Sequence, residues 1–248
     1  MCRTGGQKAV QSQLGIRKVI MKKSLGTWLL ALAVSFLVGC NEGKEVCCNE
    51  IRCCHVYGAD TDWGMVDPLV FARKDESDNE TVVRTCWSAD SLFVLFEVRD
   101  ADLRAFQVET DHPQLFLDDM AEVLIDGDND RTPYWHEDDI VYHINILGTK
   151  KDDRGTAGHQ SDASWDGRAR YEIEIRGTVN DSTDVDEGYT ILVAFPWLEI
   201  GQTPRPGLRL GVNFANGDND GKGRQLYNWC DSDPMRSPDT FGTLILME

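Results

Sequence analysis

The chain has 248 residues, of which 25 are Lys or Arg and 42 are Asp or Glu, so its formal net charge is −17. Its 41% hydrophobic and 27% charged residues are typical of a folded domain and exclude a disordered tail or a protein with many membrane spans. The negative charge argues against nucleic acid as a partner, because phosphate binding requires clustered Lys and Arg.

The N-terminal segment, residues 1–39, differs from the rest of the chain in its charge. It holds six basic residues and no acidic one. Met21, which we predict to be the true start, is followed by two lysines and then by an apolar run over residues 28–37. That run is too short for a comfortable membrane-spanning helix and is typical of a secretory signal.

Residues 37–40, with the sequence Leu-Val-Gly-Cys, resemble a bacterial lipobox. The resemblance implies cleavage before Cys40 and a lipid anchor on that cysteine, which would hold the protein on a membrane of the bacterial cell envelope. No Asp follows Cys40, and this favours the outer membrane. The alternatives are an uncleaved anchor and an ordinary signal in which Cys40 is incidental.

Residues 40–56 are predicted to form a cysteine-rich tether. Outside the reducing cytosol, disulfides are the usual fate of such cysteines, and their connectivity cannot be deduced from spacing. A thiolate metal site and free thiols are the alternatives. The four cysteines of this predicted clip are Cys47, Cys48, Cys53 and Cys54. Two more, Cys86 and Cys230, could pair with each other or with the clip.

From residue 57 to residue 248, short runs of aromatic and β-branched residues alternate with clusters of Gly, Asp and Asn, a pattern that predicts strands. The first two runs, 81–87 and 91–98, flank a predicted turn at Ser88–Asp90. No stretch shows a sustained helical period, so we predict an all-β, antiparallel β-sandwich. The remaining runs are 121–126, 140–147, 169–175, 189–195, 208–214 and 241–247.

Motifs for catalysis are missing from the sequence. It contains no Gly-x-Ser-x-Gly elbow, no phosphate-binding loop and no dinucleotide-binding glycine pattern. The run that begins at His136 starts like a zinc-protease motif, but Ile140 stands where the second histidine must be. The 42 acidic residues do not single out a glycosidase pair by spacing. We therefore predict that the protein is not an enzyme.

Two loops rich in oxygen ligands favour calcium. Asp126, Asp128 and Asp130 stand at alternate positions after a predicted strand, which would let their carboxylates converge on one Ca²⁺. Residues 216–221 form a second loop of this kind. The alternative for each loop is a polar turn that holds no ion.

Six segments with characteristic residues follow one another in the predicted domain. They resemble the family 9 carbohydrate-binding modules and their relatives over residues 57–248. The resemblance implies a jelly-roll-like antiparallel β-sandwich, structural calcium and a sugar-binding cleft that does no catalysis. The segments are 83–100, 119–126, 138–145, 188–197, 211–214 and 238–244.

The resemblance also implies a set of sugar-binding positions. In this family a sugar ring lies between two tryptophans while acidic and basic side chains bind its hydroxyl groups, as apolar ring faces and charged hydrogen bonds allow. Phe116 and Met235 take the two tryptophan positions, Glu122 takes the acidic position and His143 replaces an arginine. Trp135 is the first choice for a replacement platform, and Arg236 completes the cleft.

Each of these positions has another interpretation. Phe116 could close the edge of the sandwich, Met235 could serve packing, and Glu122 could serve calcium or the surface. Trp87 and Trp197 are expected in the core.

The function predicted from the sequence is a non-catalytic carbohydrate-binding lipoprotein of the envelope, with a poly- or oligosaccharide as its ligand. One alternative is a b-type haem module, whose iron ligands would come from Met65, Met120, Met235 and His143. A second alternative is a scaffold whose cysteine clip docks a partner protein in the envelope.

Overall fold

The computed structural model describes residues 49–56, 61–72, 79–221, 223–231 and 236–248. Predictions that concern Cys40, Cys47, Cys48 and Met235 lie outside these residues. Within them, no helix is long and apolar enough to cross a membrane.

Strands dominate the described part of the chain, with one short α-helix, α1 (Trp197–Ile200), and three 3₁₀ helices (Trp63–Met65, Leu115–Leu117 and Pro238–Thr240). The strands in chain order are β1 (Glu50–His55), β2 (Leu69–Ala72), β3 (Glu80–Trp87), β4 (Ser91–Arg99), β5 (Met120–Asp126), β6 (Asp139–Asn145), β7 (Lys150–Gly155), β8 (Ser161–Asp162), β9 (Arg170–Arg176), β10 (Gly188–Pro196), β11 (Arg209–Asp218), β12 (Gln225–Asn228) and β13 (Gly242–Leu246).

The strands form two layers joined at one edge. The first sheet has the order β8-β7-β6-β5-β11-β13-β1, with β12 beside β11. The second sheet has the order β1-β3-β4-β10-β9, with β2 beside β3. Strand β1 belongs to both, because residues 50–53 pair with β13 and residues 54–55 pair with β3. The predicted all-β sandwich is confirmed.

The core lies between the two sheets, where side chains of opposite layers meet. Phe96 of β4 packs edge-on against Phe214 of β11, with ring centroids 6.1 Å apart. Tyr142 of β6 meets Phe195 of β10 in the same way at 5.2 Å. All four side chains are fully buried. Aromatic pairs of this geometry stabilise the contact between the layers beyond what the burial of their apolar area contributes.

The predicted hairpin between β3 and β4 forms as expected. The Ser88 hydroxyl accepts hydrogen bonds from the backbone N–H groups of Asp90 and Ser91, and the Ser88 N–H donates to the Ser91 carbonyl. A serine that closes its own turn in this way is common in tight turns. Trp87 and Trp197 are buried, as predicted.

The prediction of a tether over residues 40–56 is wrong for Glu50–His55, which form β1. Ile51 and Cys53 of this strand are buried in the core, whereas Glu50 and Arg52 are exposed. The pairing of β1 with β13 and β3 is parallel, so the sheets are mixed and not purely antiparallel. The apolar alternation of β1 is only four residues long, which gives a weak strand signal among cysteines.

The burial of Ile51 provides a test of this correction. Ile51→Ala should lower the free energy of unfolding by about 2–5 kcal/mol, because it leaves a cavity between the sheets. Arg52→Ala, one position away on the exposed side, should change it by less than about 0.5 kcal/mol. Urea unfolding followed by tryptophan fluorescence measures both values. Equal, small changes for the two variants would mean that β1 contributes nothing to the fold.

Candidate functional site

One row of polar side chains runs across the outer face of the first sheet. Glu122 of β5 lies directly opposite His143 of β6, which lies directly opposite Lys151 of β7. Directly paired residues point to the same face of a sheet. Their neighbours Ala121 and Val123 belong to the core between the sheets, so the alternation of β5 places Glu122 on the outer face.

Glu122 is the centre of this row. Its Oε1 accepts a hydrogen bond from Arg224 Nη2 at 2.9 Å and lies 3.4 Å from His143 Nδ1. Burial alone would raise the pKa of the carboxyl group, but its interactions with His143, Arg224 and Arg236 lower the pKa below its ordinary value. Glu122 is therefore a carboxylate at neutral pH, with its charge balanced within the face.

Phe116 stands beside the same arginine. It lies in the 3₁₀ helix that leads into β5, and 41% of its surface is exposed. The Arg224 guanidinium lies 5.3 Å from the centre of its ring, within the range of a cation–π contact. A half-exposed ring next to a carboxylate–arginine pair offers an apolar face and strong hydrogen-bonding groups side by side.

A second carboxylate–arginine pair lies farther along the face. Asp153 of β7 accepts a hydrogen bond from Arg236 Nη2 at 2.7 Å and is 3.3 Å from Lys151 Nζ. Burial would raise the pKa of Asp153, but the Arg236 guanidinium and Lys151 lower it. Arg236 also lies 5.1 Å from the ring centre of Trp135, whose Nε1–H donates to the Arg236 carbonyl. Trp135 thus holds Arg236 in place.

Four polar atoms of this face are buried without a hydrogen-bond partner among the described residues. They are His143 Nδ1, His143 Nε2, Arg224 Nε and Arg236 Nε. Buried polar atoms are nearly always paired in folded proteins, and an unpaired group at a surface site points to bound water or a ligand. The face can therefore donate further hydrogen bonds to a hydroxyl-rich molecule.

The structure brings most of the predicted sugar-binding residues onto one face. Phe116, Glu122, His143 and Arg236 lie there together, and Trp135 lies beside Arg236. Their role in binding a sugar stays a prediction.

Three charged members of the face, Arg224, Lys151 and Asp153, were not predicted from the sequence. Arg224 follows a loop whose pattern indicated only oxygen ligands, and β7 has the sequence Lys-Lys-Asp-Asp at its start. Opposite charges two positions apart in that strand are the one signal that could have revealed Lys151 and Asp153.

The predicted calcium ligands Asp126, Asp128 and Asp130 also come together, with one oxygen of each within 4.8 Å of the others. Most of their oxygens already accept hydrogen bonds. Asp126 Oδ2 accepts from the Arg131 N–H, Asp128 Oδ1 from the Asp130 N–H, and Asp130 Oδ2 lies 2.7 Å from His136 Nδ1. Asp126 Oδ1 is buried without a partner among the described residues. The loop thus has the hydrogen bonds of a polar turn.

A second acidic cluster joins three strand ends. Asp100 follows β4, Asp119 precedes β5 and Asp218 ends β11, and their oxygens lie within 4.8 Å of one another with all three residues buried. The loop over residues 216–221 was predicted as oxygen-rich, but Asp100 and Asp119 were not predicted as its partners. They are far apart in the sequence and meet only because β4, β5 and β11 end at one side of the sandwich.

The second cluster brings acidic side chains together in a buried position. Burial, together with repulsion from neighbouring carboxylates, raises the pKa of Asp100 to about 7 and that of Asp119 to about 9. Asp100 Oδ2 is buried without a hydrogen bond to any described residue. Three buried carboxylates and an unpaired oxygen fit a hard divalent cation, which binds oxygen ligands.

The haem alternative gains no support from the described residues. Met65 is 83% exposed and lies in a 3₁₀ helix over the other sheet. Met120 and His143 stand on neighbouring strands at diagonal positions of one face. Both side chains are buried.

The fold is a two-layered β-sandwich with a row of polar side chains on one outer face. Residues 58–248 match the family described as "Carbohydrate family 9 binding domain-like". The chain belongs to this family. Strand β1 lies before the matched segment.

Similar proteins include multidomain enzymes. Endo-1,4-beta-xylanase A of Thermoanaerobacterium saccharolyticum is 26% identical over 190 residues, which cover 74% of this chain and 14% of the xylanase. Endo-1,4-beta-xylanase C of Paenibacillus barcinonensis is 30% identical over 167 residues, which cover 65% of this chain and 13% of the enzyme. The chain thus spans about one seventh of the length of these relatives.

Two solved structures of a family 9 module from Caldicellulosiruptor kristjanssonii share the fold. The complex with cellotriose has a TM-score of 0.61 at 18% identity and covers 80% of this chain and 94% of the module. The complex with glucose has a TM-score of 0.59 at 18% identity and covers 80% of this chain and 95% of the module. At this identity the likeness shows the fold.

Proposed function

We propose that this protein is a non-catalytic binding protein that holds a poly- or oligosaccharide on the outer face of the first sheet. The observation that carries the proposal is the half-exposed ring of Phe116 beside the Glu122–Arg224 pair. Support also comes from the family, whose members in the two solved complexes hold cellotriose and glucose. The aligned part of the xylanases is about one seventh of each enzyme, so the proposal includes no hydrolysis.

In the proposed complex, a sugar ring packs its C–H face on Phe116 and directs its hydroxyl groups towards Glu122, Arg224 and His143. Stacking on one aromatic ring contributes about 0.5–1.5 kcal/mol beyond the area it buries. Each charge-assisted hydrogen bond adds about 1.5–3 kcal/mol before the entropy of binding is subtracted. These values favour a dissociation constant between about 1 mM and tens of micromolar.

Phe116→Ala should weaken binding of cellotriose by about tenfold or more, because the apolar platform is lost. Glu122→Gln keeps the shape of the side chain and removes its charge, and it should weaken binding by a similar factor. Isothermal titration calorimetry measures both.

Leu198→Ala is the matched control, because it truncates an apolar side chain that is 80% exposed in α1, away from the proposed face. It should bind as the wild type does. The cleft is wrongly assigned if Phe116→Ala binds as tightly as the wild type, or if cellotriose, glucose and a broad glycan array all give no binding.

We also propose a structural calcium ion, as the sequence predicted, and we favour Asp100, Asp119 and Asp218 as its ligands over Asp126, Asp128 and Asp130. Asp100, Asp119 and Asp218 are all buried, whereas Asp128 and Asp130 are exposed and accept hydrogen bonds within their own turn. The ion would neutralise like charges that otherwise destabilise the folded state.

Calcium at about one hundred times its dissociation constant should raise the melting midpoint by about 5–10 °C, because it binds only the folded form. Asp100→Asn should shrink this shift and also raise the midpoint in chelator, since it removes one of the repelling charges. Asp128→Asn should leave the shift in place. Differential scanning calorimetry in chelator, calcium and magnesium measures these midpoints. A shift that Asp128→Asn abolishes and Asp100→Asn preserves would move the ion to the other loop.

The envelope location is a further part of the proposal. We propose that Cys40 carries a lipid anchor, on the basis of the lipobox sequence at residues 37–40, with the outer membrane as its destination.

Cys40→Ser should leave the precursor uncleaved and abolish its labelling by a fatty-acid analogue, because the acylated atom is lost. Expression of both forms in a bacterium, followed by gel fluorescence and mass measurement, tests this. Cys47→Ser is the control, because it removes a cysteine outside the lipobox, and it should be labelled normally. Labelling of Cys40→Ser at the wild-type level would place the lipid elsewhere or show that none is attached at Cys40.

A further inference from the structure

Two cysteines face each other where β1 joins the second sheet. Cys54 and Cys86 are direct partners in the parallel pairing of β1 with β3, and their Sγ atoms are 2.7 Å apart. Neighbouring strands are about 4.7–4.9 Å apart, which lies within the range of about 4.4–6.8 Å that the Cα atoms of a disulfide require. The backbone therefore places this pair at bonding distance.

The surroundings of the pair separate it from the other described cysteines. Cys86 is buried and Cys54 is partly buried in a small apolar cluster with Trp63, Val66 and Leu95, on the side of the second sheet that faces away from the core. Cys53 is the next residue along β1, and it belongs to the core between the sheets. Because successive side chains of a strand point to opposite faces, Cys53 is directed away from Cys86.

We propose that Cys54 and Cys86 form a disulfide that fastens β1 to the second sheet. Each thiol gives up one proton and one electron as the S–S bond forms. The acceptor is a disulfide of a thiol oxidoreductase or of glutathione, which is reduced to two thiols. Cys54, the more exposed partner, attacks first and forms a mixed disulfide. Cys86 then attacks the Cys54 sulfur and releases the carrier thiol.

The bond would act where β1 joins the second sheet through a short pairing. β1 pairs with β3 through two residues, Cys54 and His55, and with β13 through four. A covalent link at that short junction keeps the two sheets joined at their common edge. It closes a loop between residues 32 positions apart, and this restricts the unfolded chain. Burial raises the pKa of Cys86, so an external reductant would exchange with this bond slowly.

The direct test is peptide mapping of the purified full chain. The chain is incubated with oxidised glutathione, alkylated under denaturing conditions and digested without reductant. We expect a cross-linked peptide that tandem mass spectrometry assigns to Cys54 and Cys86, with Cys53 alkylated. Cys54→Ala should lose the link and leave Cys86 alkylated, whereas Cys53→Ala should keep it. A link from Cys54 or Cys86 to Cys47, Cys48 or Cys230, or alkylation of both in the wild type, overturns the proposal.

A second measurement tests the effect on stability. Reduction should lower the melting midpoint of the oxidised chain by about 5–10 °C. This sensitivity to reductant should vanish in Cys54→Ala, which replaces a partly buried side chain and is expected to fold, and it should persist in Cys53→Ala. If oxidised and reduced wild type melt at the same temperature, or if Cys54→Ala keeps the full sensitivity, the bond does not hold β1.

Discussion

The two-residue alternation of the strands in the first sheet is the constraint on which the outer face depends. Ala121, Val123 and Ile125 enter the apolar core because their side of β5 faces the second sheet. The same geometry places Glu122 and its cross-strand partner His143 on the other side of the sheet. A shift of one residue in the register would bury the charges and expose the core. The packing that stabilises the sandwich therefore also positions the polar row.

The eight runs predicted as strands all form strands, because each carries enough aromatic and β-branched residues to fill a core. Strand β7 was missed since its residues are charged. Lys150 and Asp152 pair on one face of it, and Lys151 and Asp153 pair on the other. Strand β1 was missed because its partner residues, Thr243–Leu246, stand at the far end of the chain. Patterns within a short window do not show pairing over such separations.

The predicted site residues came from a family resemblance and not from periodicity, and this explains what was missed. Phe116, Glu122 and His143 occupy positions that a motif fixes relative to β5 and β6. Arg224 reaches Glu122 from a loop more than a hundred residues later, and no local signal marks it. Asp100 likewise meets Asp119 only through the ends of β4 and β5. Contacts between loops depend on how strands are arranged in the sheets, which a linear pattern does not specify.

The buried carboxyl groups of this acidic chain include two kinds of site, which differ in the direction of their pKa shift. Interactions with His143, Arg224 and Arg236 at Glu122, and with Arg236 and Lys151 at Asp153, outweigh the cost of burial, so the pKa of each carboxyl group is lowered. At Asp100 and Asp119, acids face acids and the pKa values are raised to about 7 and 9. Glu122 and Asp153 stay charged because basic side chains of the same chain lie beside them. Since the charges there are already balanced, a neutral, hydroxyl-rich ligand suits this face. Asp100 and Asp119 lack such compensation, and this is why we propose a divalent ion there and a sugar on the other face.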